Sequence, residues 1–202
     1  FPNSSLQYQD FLNKVDADNK LWDIVIPGLG PGTAPCKNQG NWKSIGPNSL
    51  PINNTGQMNG MGRVNAIALH PTDTNTMFIG SAAGGIWKTT DGGITWNVNS
   101  DSLPTLGVSA IAINPTNPSV MYFGSGDRDA GDAAGFGVFK SNNSGLSWFI
   151  SNTGMGNRKV ARLIIDPNNV NILIAATDNG IYRSVNAGVN WTQTFNGGFF
   201  KD

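Results

Sequence analysis

Residues 126–135, Gly-Asp-Arg-Asp-Ala-Gly-Asp-Ala-Ala-Gly, gather three carboxylates around one guanidinium. Asp127, Asp129 and Asp132 offer the hard oxygen donors that a Ca²⁺ ion takes, and Arg128 suits a carboxylate or an anionic ligand. The spacing departs from an EF-hand loop, and no Glu closes the set. A solvated loop with an internal Arg–Asp pair is therefore the simpler reading, with Ca²⁺ as its rival and no other cofactor implied.

Glycosidic hydrolysis would ask for something else, a pair of carboxylates about 5 to 9.5 Å apart across one bond. The candidates are Asp101, Asp127, Asp129, Asp132 and Asp178, and their spacing selects no pair. All 13 acidic residues are Asp. Nucleophilic chemistry has still less to work with. Cys36 is the only cysteine, in a Pro/Gly-rich stretch with no histidine nearby. It reads as a free thiol and excludes a disulfide within these residues. The only histidine, His70, precedes a proline in Ala-Leu-His-Pro, as Asn114 does in Ala-Ile-Asn-Pro and Asp166 in Ile-Ile-Asp-Pro. That equivalence makes it a turn residue rather than a general base.

The formal net charge is zero and Lys and Arg form no run, which excludes a dedicated nucleic-acid binder. No apolar stretch approaches the roughly 18 residues of a membrane helix, so no membrane insertion is expected. The chain begins Phe-Pro-Asn-Ser-Ser without an initiator Met, which reads as a processed or excised segment. Gly and Asn occur 26 times each among Thr-, Ile-, Val- and aromatic-rich runs. Such a composition favours strands joined by tight turns.

The elements that must position these residues emerge from an internal repeat. Thr-Thr-Asp-Gly-Gly-Ile-Thr-Trp (89–96) returns as Ser-Asn-Asn-Ser-Gly-Leu-Ser-Trp (141–148) and Ser-Val-Asn-Ala-Gly-Val-Asn-Trp (184–191). The shared positions are Thr89, Asp91, Gly93 and Trp96; Ser141, Asn143, Gly145 and Trp148; Ser184, Asn186, Gly188 and Trp191. The central Asp/Asn residues stand 52 and 43 positions apart. Each turn follows three short apolar runs, beginning with VNAIALHP, VSAIAINP and VARLIIDP, and its Trp opens a fourth. Four short strands per unit of about 40 to 50 residues is the pattern of a propeller blade. Within the turn, the Asp/Asn side chain is expected to accept from a backbone N–H two residues on. The Ser/Thr hydroxyl ties back across, the Gly supplies a positive φ, and the Trp covers a sheet face or blade seam.

These turns resemble the Asp box of bacterial-neuraminidase-type repeats. That repeat family includes sialidases, xyloglucan-degrading glycosidases, sortilin-type receptors and photosystem assembly factors. The resemblance covers about residues 42–202. The wording of residues 62–96 looks most like large secreted or surface proteins of Bacteroidetes-type bacteria, many exported by the type IX system with a C-terminal sorting domain. It implies an all-β propeller, extracellular or cell-surface, with the boxes as outer-rim architecture rather than ligand sites. By the same resemblance, Asp101-Ser102-Leu103 is similar to an O-glycosylation sequon, with Ser102 the modified residue. In the xyloglucan hydrolases the stretch matching Ser-Ala-Ala-Gly-Gly-Ile-Trp-Lys carries a catalytic Asp; Ala82 stands at that position. Arg63 lies in Gly-Arg-Val-Asn rather than the Arg-Ile-Pro of sialidases, and Glu is absent. Both activities are disfavoured on these residues.

Residues 1–41 form an N-terminal extension, with Tyr8, Phe11, Leu12 and Val15 at helical spacing and a Pro/Gly linker behind them. Residues 42–202 form the partial propeller. An outer closing strand is expected at 42–47, blades at about 63–98, 107–151 and 159–195, and the start of another blade at 199–202. Three blades leave open edges, so the rest of a propeller beyond residue 202 is the expected partner. The fold reading is therefore all-β, a propeller segment of about three four-stranded blades. The functional reading is a recognition or scaffold module for a glycan or protein ligand. A polysaccharide-acting glycoside hydrolase with carboxylates partly outside the segment is the alternative, and a sortilin-like partner-binding platform a third.

Overall fold

The computed structural model describes residues 63–129 and 133–198. The expected N-terminal helix, the linker with Cys36, the strand at 42–47, the blade start at 199–202 and Asp132 lie outside the described residues. The described residues contain strands and turns and no helix. Three four-stranded antiparallel sheets follow one another along the chain, as the repeat predicts.

The first blade is β1 (Val64–Leu69), β2 (Met77–Ser81), β3 (Ile86–Thr89) and β4 (Asn97–Val98). The second is β5 (Val108–Ile113), β6 (Met121–Ser125), β7 (Val138–Ser141) and β8 (Phe149–Ile150). The third is β9 (Val160–Ile165), β10 (Leu173–Thr177), β11 (Gly180–Ser184) and β12 (Thr192–Asn196). Each blade is a simple meander, and the inner strands β1, β5 and β9 stand side by side. A bulge interrupts the β1–β2, β5–β6 and β9–β10 pairings at matching places near the start of each inner strand.

Two apolar seams hold the blades together. Phe78 and Ile86 of the first blade pack with Val108, Met121, Phe123 and Phe139 of the second. Phe123 stacks on Phe139 at 4.8 Å and meets Trp148 edge-on at 4.8 Å, contacts worth ~0.5–1.5 kcal/mol each beyond area burial. Tyr122, Val138 and Met155 pack with Val160, Leu163, Leu173, Tyr182 and Trp191 across the second seam. The blades approach closely because β2 and β6 carry Gly80 and Gly124 at the crossing point. A Cβ there would lie 2.5 Å from Val108 Cγ1 and 2.6 Å from Val160 Cγ1 respectively. β6 is buried along its whole length, whereas β12 is exposed throughout.

The repeated turns close on themselves. Thr89 Oγ1 accepts from Gly93 N at 2.9 Å and donates to Asp91 Oδ1 at 2.7 Å, and Asp91 Oδ1 accepts from Thr95 N at 2.9 Å. Ser141, Asn143 and Ser147 repeat this arrangement, as do Ser184, Asn186 and Asn190. The Asp/Asn acceptor thus reaches four residues on, not two as expected from an isolated Asx turn, because the chain makes a wider loop. A second departure accompanies it. The residue before each Gly also takes a positive φ, at 57° in Ser144 and 55° in Ala187. Trp148 and Trp191 fill the two seams, in line with the expectation for these side chains.

Candidate functional site

Antiparallel pairing puts the β1–β2 and β3–β4 turns of every blade at one edge. They touch there: Gly92 N, Ser144 N and Ala187 N each donate at 2.9 Å to Asn75 O, Ser119 O and Asn171 O. His70 sits at this edge. Its Nδ1 accepts from Asp73 N at 3.0 Å, as Asn114 Oδ1 accepts from Asn117 N and Asp166 Oδ1 from Asn169 N. It is a turn acceptor, as its place before proline predicts. Asp91 spends its carboxylate inside the box, and the hydrogen bonds from Thr95 and Thr89 pull its pKa down to about 2.

The opposite edge carries the β2–β3, β6–β7 and β10–β11 loops and the connections between blades. Here the loop after β6 behaves as a strap. Asp127 is fully buried, and its Oδ1 accepts from Arg63 Nη2 at 2.5 Å. Asn65 Nδ2 (3.5 Å) and the Asp129 amide (3.2 Å) point at the same oxygen. Arg63 immediately precedes β1, so this ion pair joins the first blade to the second. Arg128 donates its amide to Ser109 Oγ at 3.2 Å and reaches Ala161 O of the third blade with Nη1 at 3.5 Å. Its Nε lies 3.5 Å from Asp129 Oδ2. Further along, Thr105 Oγ1 donates to Ala134 O at 2.9 Å and Gly137 N to Arg158 O at 2.9 Å. The loop is tied to all three blades.

Of the acidic candidates, the structure brings Asp127 and Asp129 together with Arg128. Asp101 and the neighbouring Ser102 are exposed in a turn closed by Leu103 N to Ser100 O at 2.9 Å. Asp178 lies in the β10–β11 turn of the third blade, its amide donating to Lys159 O at 3.0 Å. Its Oδ1 and the Arg158 Nε at the same edge are enclosed without hydrogen-bond partners among the described residues. Ala82, buried, donates its amide to Arg63 O at 3.1 Å. Phe136 packs partly buried against the first seam. Among the described residues, no group of three or more His, Cys, Asp or Glu side chains is placed to hold a metal ion.

Sequence reasoning missed the partnership of Arg63 and Asp127. The only available signal was the aligned position of Arg63 at the head of the first inner strand, matching Gly107 and Lys159. Those three carbonyls all accept from the residue after the second strand: Ala82, Gly126 and Asp178.

No family model and no curated protein matches the sequence. Solved structures do. An ancestral GH74 enzyme is 30% identical over 65% of this chain and 18% of its own length, with a TM-score of 0.54. The GH74 xyloglucanase from Xanthomonas campestris is 23% identical over 65% of this chain and 20% of its own (TM-score 0.52). The Niastella koreensis GH74 enzyme is 27% identical over 68% of this chain and 22% of its own (TM-score 0.51). The chain spans about a fifth of the length of these structures. Its three meander sheets are blades of a β-propeller.

Proposed function

We propose that this chain is part of an extracellular or surface-exposed β-propeller that binds a glycan or protein ligand at its loop edge. The supporting observation is the contrast between the two edges. The box edge is made of short turns that bond to one another, whereas the loop edge carries a rigid strap whose charged side chains are partly exposed. Arg128 and Asp129 are held by backbone and side-chain bonds yet keep part of their surface in water. Arg158 and Asp178, each partly exposed, flank the strap at the same edge. Preorganised polar groups of this kind suit recognition through hydrogen bonds. Similarity to GH74 enzymes at 30% and 27% identity supports a glycan as the ligand class.

Calorimetric titration with soluble xyloglucan oligosaccharides and a panel of other glycans tests this reading. The expected result is saturable binding that Arg128→Ala and Asp178→Asn weaken at least tenfold without loss of fold. Binding that neither substitution changes, or no binding across the panel together with no captured extracellular protein, would overturn it.

The same likeness favours a second reading, a hydrolase acting on a polysaccharide. With Ala82 in place of a carboxylate, it needs acidic residues elsewhere. Release of new reducing ends from xyloglucan by the native polypeptide would establish it. The reading of the chain as one segment of a longer propeller is tested by the intact mass of that polypeptide.

A further inference from the structure

The exposed third face of blade three repeats a joint that the molecule makes twice elsewhere. In the first blade, Ala68, Phe78 and Lys88 form one cross-strand row on β1, β2 and β3. In the second, Ala112, Tyr122 and Lys140 form the matching row. The turn of the following blade sits on each row. Lys88 Nζ donates to Ser144 O at 2.9 Å while lying 5.5 Å from the centre of the Phe78 ring. Lys140 Nζ donates to Ala187 O at 3.0 Å and lies 5.3 Å from the centre of the Tyr122 ring.

The receiving ends match as well. Ser144 and Ala187 are the two non-glycine residues with positive φ among the described residues. Their left-handed turn swings the carbonyl out of the box. The glycine that follows allows the ring to close in. A Cβ on Gly145 would be 3.0 Å from Phe78 Cε1, and one on Gly188 3.1 Å from Tyr122 Cε1. The residue that follows the preceding blade's outer strand donates to the next carbonyl, Asn99 Nδ2 to Gly145 O (3.5 Å) and Ser151 Oγ to Gly188 O (2.7 Å). Burial lowers the pKa of both lysines. Each ammonium gives up hydration there, and the carbonyl and ring offset part of that cost.

We propose that the box turn is a latch by which each blade is fastened to the one before it, with Lys88 and Lys140 as the positioning residues and Arg183 as the same residue for a blade following the third. The third row reads Ile164, Ile174 and Arg183 in the same register. Ile164 is 52% exposed and Ile174 37%, whereas Phe78 and Tyr122 are buried. The row takes an Asp/Asn-X-Gly turn whose middle residue is left-handed. One difference narrows the partner further. Ala176 occupies the place of Gly80 and Gly124, so the incoming inner strand must present a residue smaller than the valine at Val108 and Val160. This site rests on the reading that the propeller continues in the same polypeptide.

Carbonyl ¹³C shifts and thermal unfolding decide the matter. Lys88→Met keeps the stem on Phe78 and deletes the donors. It should move the Ser144 carbonyl resonance and lower Tm by roughly 2–6 °C, and Lys88→Arg should restore both. Lys140→Met should act in the same way on Ala187, more weakly because Tyr122 Oη also donates to Ala187 O at 3.0 Å. An unmoved Ser144 resonance, or Arg performing no better than Met, overturns the latch. Arg183→Met should lower Tm in the native polypeptide carrying a further blade, but not in the 202-residue chain. Equal effects in both overturn the third position. A native polypeptide whose mass ends at Asp202 sinks the longer-propeller reading, while the lysine variants still decide the latch.

Discussion

Arg63 and Asp127, separated by 64 positions in sequence, meet at 2.5 Å and join the head of the first blade to the strap of the second. The pair is lopsided. The aspartate side chain is fully enclosed, while the arginine side chain remains 42% exposed.

That asymmetry predicts unequal costs. Arg63→Ala strips a buried carboxylate of its cation and should destabilise by about 2–4 kcal/mol. Asp127→Asn leaves a half-exposed guanidinium that water can solvate, at a cost of about 1–2 kcal/mol. Urea unfolding of both variants checks the order, and equal or reversed losses would contradict the asymmetric burial.

The same pairing bears on calcium. A cation at Asp127 Oδ1 would compete with the Arg63 guanidinium already there, so millimolar Ca²⁺ should leave the wild-type Tm unchanged. A calcium-dependent rise that disappears in Asp129→Asn would instead establish an ion site in the strap.

Acid should act on the first box alone. The folded pKa of Asp91 is lowered to about 2, below the roughly 3.9 of an unfolded chain. Its contribution is therefore complete above about pH 4 and lost as pH falls towards 2. Asn143 and Asn186 carry no proton to gain. Melting curves between pH 2 and 5 should show wild type losing stability relative to Asp91→Asn in that window, and parallel curves would refute the assignment.

Gly124→Ala should cost about 1–3 kcal/mol through overpacking, because the new methyl would stand 2.6 Å from Val160 Cγ1 and 2.7 Å from its Cβ. Adding Val160→Ala should recover part of the loss in a double-mutant cycle. Strictly additive losses would mean that the two positions are not in contact.

The blades were legible because period-2 apolar runs and the Asp/Asn-X-Gly turn are local signals, repeated three times. His70 was readable as a turn acceptor for the same reason, since Asn114 and Asp166 perform the same bond in the other blades. The candidate site was legible only in part. Asp127, Arg128 and Asp129 stood out as a cluster, yet their spacing held no trace of Arg63, whose partnership depends on how two blades pack. The positive φ of Ser144 and Ala187 was equally hidden, because neither residue type prefers that conformation. The four-residue reach of Asp91, Asn143 and Asn186 needed the true width of the turn.

The self-sufficiency of the box turns has a bearing on how such chains diversify. The bonds that shape each box, from hydroxyl to carboxyl or amide and from box amides to both, lie within eight residues and involve no loop at the opposite edge. Insertions such as the one after Ser125 can lengthen, change charge or be exchanged between blades while the rim keeps its geometry. Loop sequence can then change quickly on a frame that changes slowly, and the loop edge becomes a natural place to graft a specificity.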